Sequence, residues 1–303
     1  MSEMNRHTVI YIMSDNRSGS TLLENILSKS QECFSVGELA MLKGHLLKQG
    51  PGERWNWNCS CGHGFKECSF WGPVLQQAQI ENDEEFVTNV TWSFKSKVLV
   101  FYSFFPIFFG SWLKKVDRRP NTARVIKTLN RLYPLIGRQS GKKFVIDSSK
   151  NPVQAFSVYH NSKTVDVKLV WLKRDIRAIA ASKRKWKELN KKREKSLFRL
   201  LWDIFYYKQV CSAVVKMAKP EDVLVLDYET LATNLQPTLD QICNQFELSN
   251  YEAPVYMELF DDHTVAGTPG RFTKKPIQYD ASWKDAFRSD KLSWITGGIL
   301  NRL

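Results

Sequence analysis

The run Arg17-Ser18-Gly19-Ser20-Thr21 holds the parts of an anion cradle. A glycine lets the backbone approach a charged oxygen closely. Three hydroxyls can donate, and a guanidinium offers a planar fork of donors. If a helix begins here, its unpaired N–H groups and its dipole add to the attraction. The run is not a Walker A motif. G-x4-G-K-[ST] needs a lysine directly before the Ser/Thr, and Ser20 stands in that place. Magnesium-dependent ATP or GTP hydrolysis is therefore not supported. Taken alone, the run also reads as a capped turn carrying a surface arginine.

Other residues extend the pattern. Arg174 is followed eight positions later by Ser182 in RDIRAIAAS. Asp147-Ser148-Ser149-Lys150-Asn151-Pro152 closes an apolar run, and Pro152 suits the first position of a helix. Glu38 follows Gly37. It reads either as a carboxylate placed to take a proton or as a first-turn partner of a helix dipole. Five histidines are scattered: His7, His45, His63, His160 and His263. His263 is the best rival base, because it shares a loop with Gly267 and Arg271. Cys59, Cys61 and Cys68 cluster around His63, and C-x-C-x-H-x4-C could in principle hold zinc. The spacing is tighter than paired C-x2-C hooks. A reduced, structured loop with no metal is the expectation.

The elements that must position these groups follow from periodicity. TVIYIM (8–13), FVID (144–147), VKLVWL (167–172) and VLVLD (223–227) are short apolar runs read as buried strands. Helical spacing follows 8–13 at Leu22, Leu23, Ile26 and Leu27. It also follows 223–227, through Ile242 to Phe246. Strands alternating with helices predict an α/β fold with a central, mostly parallel sheet flanked by helices. Arg17, Lys150 and Arg174 would then all lie at strand C-termini, where open α/β sheets bind ligands. The stretch 72–140 reads as a mostly helical cap or insertion. The stretch 175–217 reads as helical, with a basic first half. A single domain over 1–303 is expected.

The 303 residues are 43% hydrophobic and 25% charged, and they carry +13. Six cysteines are too few for a disulfide scaffold of this length. The charge favours anionic partners without choosing among them. Residues 183–195 hold eight Lys or Arg in 13. They read as a solvated helix face or as a rim that attracts an acidic glycan, a membrane surface or a nucleotide. No nucleic-acid fold signature accompanies them, so no nucleic acid is expected. The first residues run straight into a strand-like segment, so no secretory leader is expected and a cytoplasmic location is the default. The aromatic run 98–113, VLVFYSFFPIFFGSWL, is shorter than the roughly 20 apolar residues of a spanning helix. It reads as a buried helical hairpin or as a lip making peripheral contact with a membrane or a lipid-linked acceptor.

Taken in order, these motifs resemble the sulfotransferases that use 3′-phosphoadenosine 5′-phosphosulfate (PAPS). R-S-G-S-T-L-L (17–23), V-G-E-L (36–39), D-S-S-K (147–150), R-x7-S (174–182) and L-D-Y-E-T-L (226–231) carry the resemblance. So do H-x3-G-x3-R (263–271) and the Trp283 that follows it. The set is closest to the bacterial and tyrosylprotein-type branches, and C-x-C-G-x5-C-x-F-W (59–71) is similar to a feature of bacterial members. The resemblance implies a P-loop-like sulfotransferase fold and PAPS as co-substrate, with no metal. It implies that Arg17, Ser18, Gly19, Ser20, Thr21 and Leu22 hold the 5′-phosphosulfate, and that Arg174 and Ser182 hold the 3′-phosphate. Tyr228 would lie near the adenine, and Arg271 would close over the donor. Glu38 would be general base, with Arg17 and Lys150 stabilising the leaving group. The acceptor would be a hydroxyl, less readily an amine, on a glycan, lipid or small molecule. The competing reading is a nucleotide-binding or membrane-associated interaction protein without transfer activity.

Overall fold

In the run Thr8–Met13 every residue is buried, because both faces of this strand are covered. Val9, Tyr11 and Met13 join one apolar cluster, and Ile10 and Ile12 join another. A strand packed on both sides reads as a continuous apolar run rather than an alternating one. This strand, β1, lies at the centre of the sheet. The computed structural model describes residues 6–47, 57–80, 86–90, 106–191, 196–257, 263–266, 274–288 and 290–303.

Five strands pair in parallel in the order β2-β3-β1-β4-β5. They are β2 (Cys33–Gly37), β3 (Phe144–Lys150), β4 (Asp166–Lys173) and β5 (Val223–Asp227), with β1 in the middle. β1 pairs with β3 from Thr8↔Phe144 and with β4 from Thr8↔Asp166. The β1–β3 register slips between Tyr11 and Met13, so that Met13 faces Lys150. β3 therefore runs past Asp147, where the sequence pattern ended it. Gly37 makes a further parallel bridge to Val265, which lays residues 263–266 along the edge of β2.

Helices fill the connections. α1 (Ser20–Leu27) follows β1, and α2 (Leu42–Leu47) follows β2. Between α2 and β3 lie α3 (Trp71–Gln77), α4 (Pro106–Asp117) and α5 (Pro120–Ser140). Of the aromatic run, 98–105 lie outside the described residues. At its other end Leu113 is fully buried. α6 (Pro152–Asn161) opens on the expected proline, and the Asn151 side chain accepts from the N–H groups of Val153 and Gln154. Such a cap satisfies two donors that the helix cannot. The basic stretch divides into α7 (Ile176–Leu189) and α8 (Leu197–Met217). α9 (Tyr228–Thr233), α10 (Leu235–Phe246) and α11 (Lys291–Arg302) complete the layers. Among the described residues no helix is long and apolar enough to cross a membrane.

Candidate active site

The loop between β1 and α1 turns through two residues of positive φ, Arg17 at 76° and Gly19 at 91°. Gly19 has a second constraint. A Cβ there would lie 2.3 Å from Cδ2 of Tyr228. The Tyr228 ring, at the start of α9, thus abuts the loop backbone. Ser18 and Ser20 are buried, and Ser18 Oγ has no hydrogen-bond partner among the described residues. A buried hydroxyl without a partner is costly unless something comes to meet it. The N–H of Leu22 is already engaged, donating to Gly19 O at 2.9 Å, and its side chain packs against the β1–α1 core.

Two arginines from different elements meet at this loop. Arg17 Nε donates to Ser182 Oγ of α7 at 3.2 Å. Arg174, just past β4, donates from Nη1 to the Arg17 carbonyl at 2.8 Å. Its guanidinium lies 4.2 Å from the Tyr228 ring centroid. Arg174 Nε has no partner, and neither arginine forms an ion pair with a described carboxylate. Burial, and then the charge of Arg174, draw Arg17 below the ordinary guanidinium range. Like charges held together with no directly paired carboxylate among the described residues favour a bound anion. The nearby ion pair of Lys183 with largely buried Asp15 (2.6 Å) instead ties α7 to the loop. Lys183 is therefore a structural partner and not part of a free basic rim.

A second group lies at the ends of β2 and β3. Lys150 Nζ donates to Glu38 Oε1, and both side chains are largely buried. Lys150 adopts φ 68°, which aims it away from the strand direction. Its carbonyl accepts from Tyr207 Oη of α8 at 2.7 Å and from Ser14 N at 3.4 Å. Glu38 is fixed through its backbone. Its N–H donates to Val265 O at 2.8 Å, and Gly37, at φ 70°, would bring a Cβ within 2.4 Å of that oxygen. Glu38 Oε2 makes no hydrogen bond among the described residues.

Two buried carboxylates support this end of the sheet. Asp147 accepts from Tyr133 Oη (2.7 Å), from Ser149 N (2.8 Å) and from Ser149 Oγ. Ser149 Oγ in turn accepts from Ala40 N at 2.9 Å, fixing the turn after Glu38. Burial pushes Asp147 up to about 6, against the pull of these bonds. Glu24 of α1 accepts from Ser35 Oγ of β2 and Ser148 Oγ of β3, each at 2.6 Å. It clamps the helix that follows the β1–α1 loop to both neighbouring strands.

Arg17, Gly19, Arg174, Ser182 and Tyr228 thus form one cluster, and Lys150 with Glu38 forms another. The Ser14–Lys150 bond joins them across the adjacent strands β1 and β3. A cavity of about 410 Å³ opens beside the first cluster, lined by Ser18, Arg174, Lys208, Tyr279 and Trp283 among others. Arg17, Lys150 and Glu38 do not line it. Arg271 lies outside the described residues. His263 does not face Glu38: its Nδ1 is turned to Cys68 Sγ at 3.1 Å. Glu24, the Asp15–Lys183 pair and Tyr207 were not singled out by the sequence. Only Asp15, inside the loop, offered a signal.

The chain belongs to the Sulfotransferase family, whose profile matches residues 10–253. Among solved structures it is similar to the sulfotransferase domain of the Synechococcus PCC 7002 olefin synthase. That match has 20% identity, covers 100% of this chain and 96% of that one, and has a TM-score of 0.57. It is also similar to the sulfotransferase domain of the curacin biosynthetic pathway, at 16% identity, 93% and 91% coverage, and a TM-score of 0.51. At such identities the likeness establishes the fold. No curated protein matches the sequence. Family and fold together define a transferase of sulfuryl groups in general. They do not separate a tyrosylprotein-type branch from the others.

Proposed function

We propose that the protein transfers the sulfuryl group of PAPS to a hydroxyl of an acceptor, with an amine the less suited nucleophile. The observation that carries this reading is the pair Arg17 and Arg174. They converge from two strand ends on one loop, beside the partnerless Ser18 hydroxyl, and neither is ion-paired to a carboxylate among the described residues. The residues fit a doubly anionic nucleotide. Arg17, Ser18, Gly19, Ser20 and Thr21 would hold the 5′-phosphosulfate, while Leu22 contributes packing. Arg174 and Ser182 would hold the 3′-phosphate, and Tyr228 would border the nucleoside. Arg271 is assigned to donor closure on the resemblance alone. The chain is proposed to act as one domain, with the 72–140 region as its cap.

The donor brings an activated sulfuryl group, and the chain's residues supply the rest. Glu38 Oε2, without a described partner, takes the proton of the attacking hydroxyl. Lys150 releases the other carboxylate oxygen and meets charge developing on the leaving phosphate. Arg17 meets the same charge from the loop. Preorganised donors of this kind contribute about 3 kcal/mol each to transition-state stabilisation. A glycan, a lipid-linked molecule or a small metabolite would satisfy the chemistry equally. Of residues 110–113 in the aromatic run only Leu113 is buried, and Ser111 is exposed, so interior burial is supported at Leu113 alone.

The test is formation of 3′-phosphoadenosine 5′-phosphate from sulfur-labelled PAPS, against a panel of alcohols, phenols and glycans. Label should pass to at least one acceptor class, and Lys150→Ala should slow the transfer at least about a hundredfold. Label that never leaves a donor shown to be bound would leave the non-catalytic binding protein as the better reading.

A further inference from the structure

The loop at 57–71 and the segment at 263–266 meet through four soft ligand atoms. Cys59 Sγ, Cys61 Sγ, Cys68 Sγ and His263 Nδ1 all lie within 4.8 Å of one another. Cys59 and Cys68 are 3.6 Å apart, and Cys61 and Cys68 are 3.7 Å apart. His263 Nδ1 is 3.1 Å from Cys68 and 3.7 Å from Cys59. A tetrahedral zinc with ordinary bond lengths sets its sulfurs about 3.8 Å apart and its sulfur–nitrogen edges about 3.6 Å. The four atoms therefore already trace the outline of one mononuclear site. A multi-iron cluster would need its sulfurs spread more widely than these.

We infer that Cys59, Cys61, Cys68 and His263 bind a structural zinc ion that locks the 57–71 loop to the strand edge carrying Glu38. The sequence offers His63 as the fourth ligand. The structure places His63 Nδ1 3.7 Å from Cys61 only, outside the mutual set, and brings in a histidine 195 residues from Cys68. The surroundings suit a closed metal site. Cys59 and Cys68 are buried. The Trp71 N–H donates to Cys68 Sγ at 3.4 Å, as outer-shell donors do to metal thiolates. Trp71 Nε1 donates to the His263 carbonyl at 2.5 Å, and the Phe70 ring stacks on the His263 imidazole. Ser60 and Thr264 exchange two further bonds between the same segments. One residue beyond Thr264, the Val265 carbonyl receives the Glu38 N–H. All four positions are then ligands and none is left for solvent, so the ion holds structure and performs no step of transfer.

The test is metal content, which does not depend on any reading of the donor site. The full chain, expressed in zinc-supplemented medium and purified without chelators, is analysed for metals by mass spectrometry. About one zinc per chain is expected, the stoichiometry of a closed four-ligand site. Cobalt replacing it should give thiolate charge-transfer bands and strong visible bands of a tetrahedral ion. His263→Ala and Cys61→Ser should lose the metal, and His63→Ala should keep it. Cys61 is exposed, so its substitution leaves the core intact and separates metal loss from misfolding. Chelation should lower the thermal midpoints of the wild-type chain and of His63→Ala, and leave those of His263→Ala and Cys61→Ser unchanged. Three outcomes would overturn the inference. They are no zinc bound by the reduced chain on direct titration, a mass lower by the two hydrogens of a Cys–Cys disulfide, or zinc retained in both ligand variants.

Discussion

Lys150 Nζ donates to Glu38 Oε1, so the two groups assigned to opposite ends of the transfer hold each other. Each is delivered by left-handed backbone, which is strained at a lysine and which a glycine adopts freely. Lys150 sits at φ 68°, and Glu38 follows Gly37 at φ 70°, whose Cα lies against the Val265 carbonyl. Strain of this kind persists only where its surroundings over-determine it. Here Tyr207, Ser14 and Val265 do so through direct hydrogen bonds.

Glu38→Gln and Lys150→Ala should each lower turnover at least about a hundredfold, the usual effect of removing one base or one charge-stabilising donor. Binding of 3′-phosphoadenosine 5′-phosphate should change only a few-fold in Glu38→Gln. Because the residues touch, the double variant should lose less than the product of the two single losses. Steady-state kinetics beside calorimetry checks this. Near-normal turnover in both single variants removes them from the chemistry.

Gly19→Ala should cost more stability than Gly141→Ala. Both positions need positive φ, at 91° and 65°, and a side chain there costs about 1–2 kcal/mol in backbone terms. At Gly141 nothing lies within 4 Å of the new methyl, whereas at Gly19 it meets the Tyr228 ring at 2.3 Å. Urea unfolding should rank them so, and Gly19→Ala should also lose nucleotide binding while Gly141→Ala keeps it. Equal unfolding midpoints would show that Tyr228 yields freely.

The buried Asp147 predicts a signed pH dependence. Burial raises it to about 6 in the folded chain, from an unfolded value of about 4. A carboxyl raised on folding favours the native state while protonated. Its contribution is full below about pH 4 and is lost as pH rises through about 6. Wild type should therefore lose stability relative to Asp147→Asn between those limits, read as the difference of urea midpoints at pH 4 and pH 7. A flat difference would mean that the bonds from Tyr133 and Ser149 fully offset burial.

Four of the five strands were legible because each is a short apolar run, fully buried in β1 and half-buried on one face in β5. β2 was not. Its sequence, CFSVG, has Ser35 in the interior, and that serine is acceptable there only because Glu24 receives its hydroxyl. A polar residue satisfied by a distant helix breaks the pattern that periodicity detects. The cations Arg17, Lys150 and Arg174 could be placed from strand ends alone, and adjacent strands β3, β1 and β4 do bring them to one edge. The Glu38–Lys150 contact depends on the β1–β3 register slip and on Val265 pairing with Gly37. His263 reaches the cysteines by that same edge pairing, whereas His63 lay nearby in sequence and drew the zinc reading to itself. The basic run was read as one surface, but Lys183 is spent on Asp15.

The most direct measurement is calorimetric titration of the wild-type chain and Arg174→Ala with 3′-phosphoadenosine 5′-phosphate, with AMP and ATP run alongside. The arginine pair predicts micromolar binding of the bisphosphate, much weaker binding of AMP, and loss of that preference in Arg174→Ala. Equal affinity for AMP and the bisphosphate, or a preference for ATP, would contradict the assignment of Arg17 and Arg174 to the donor.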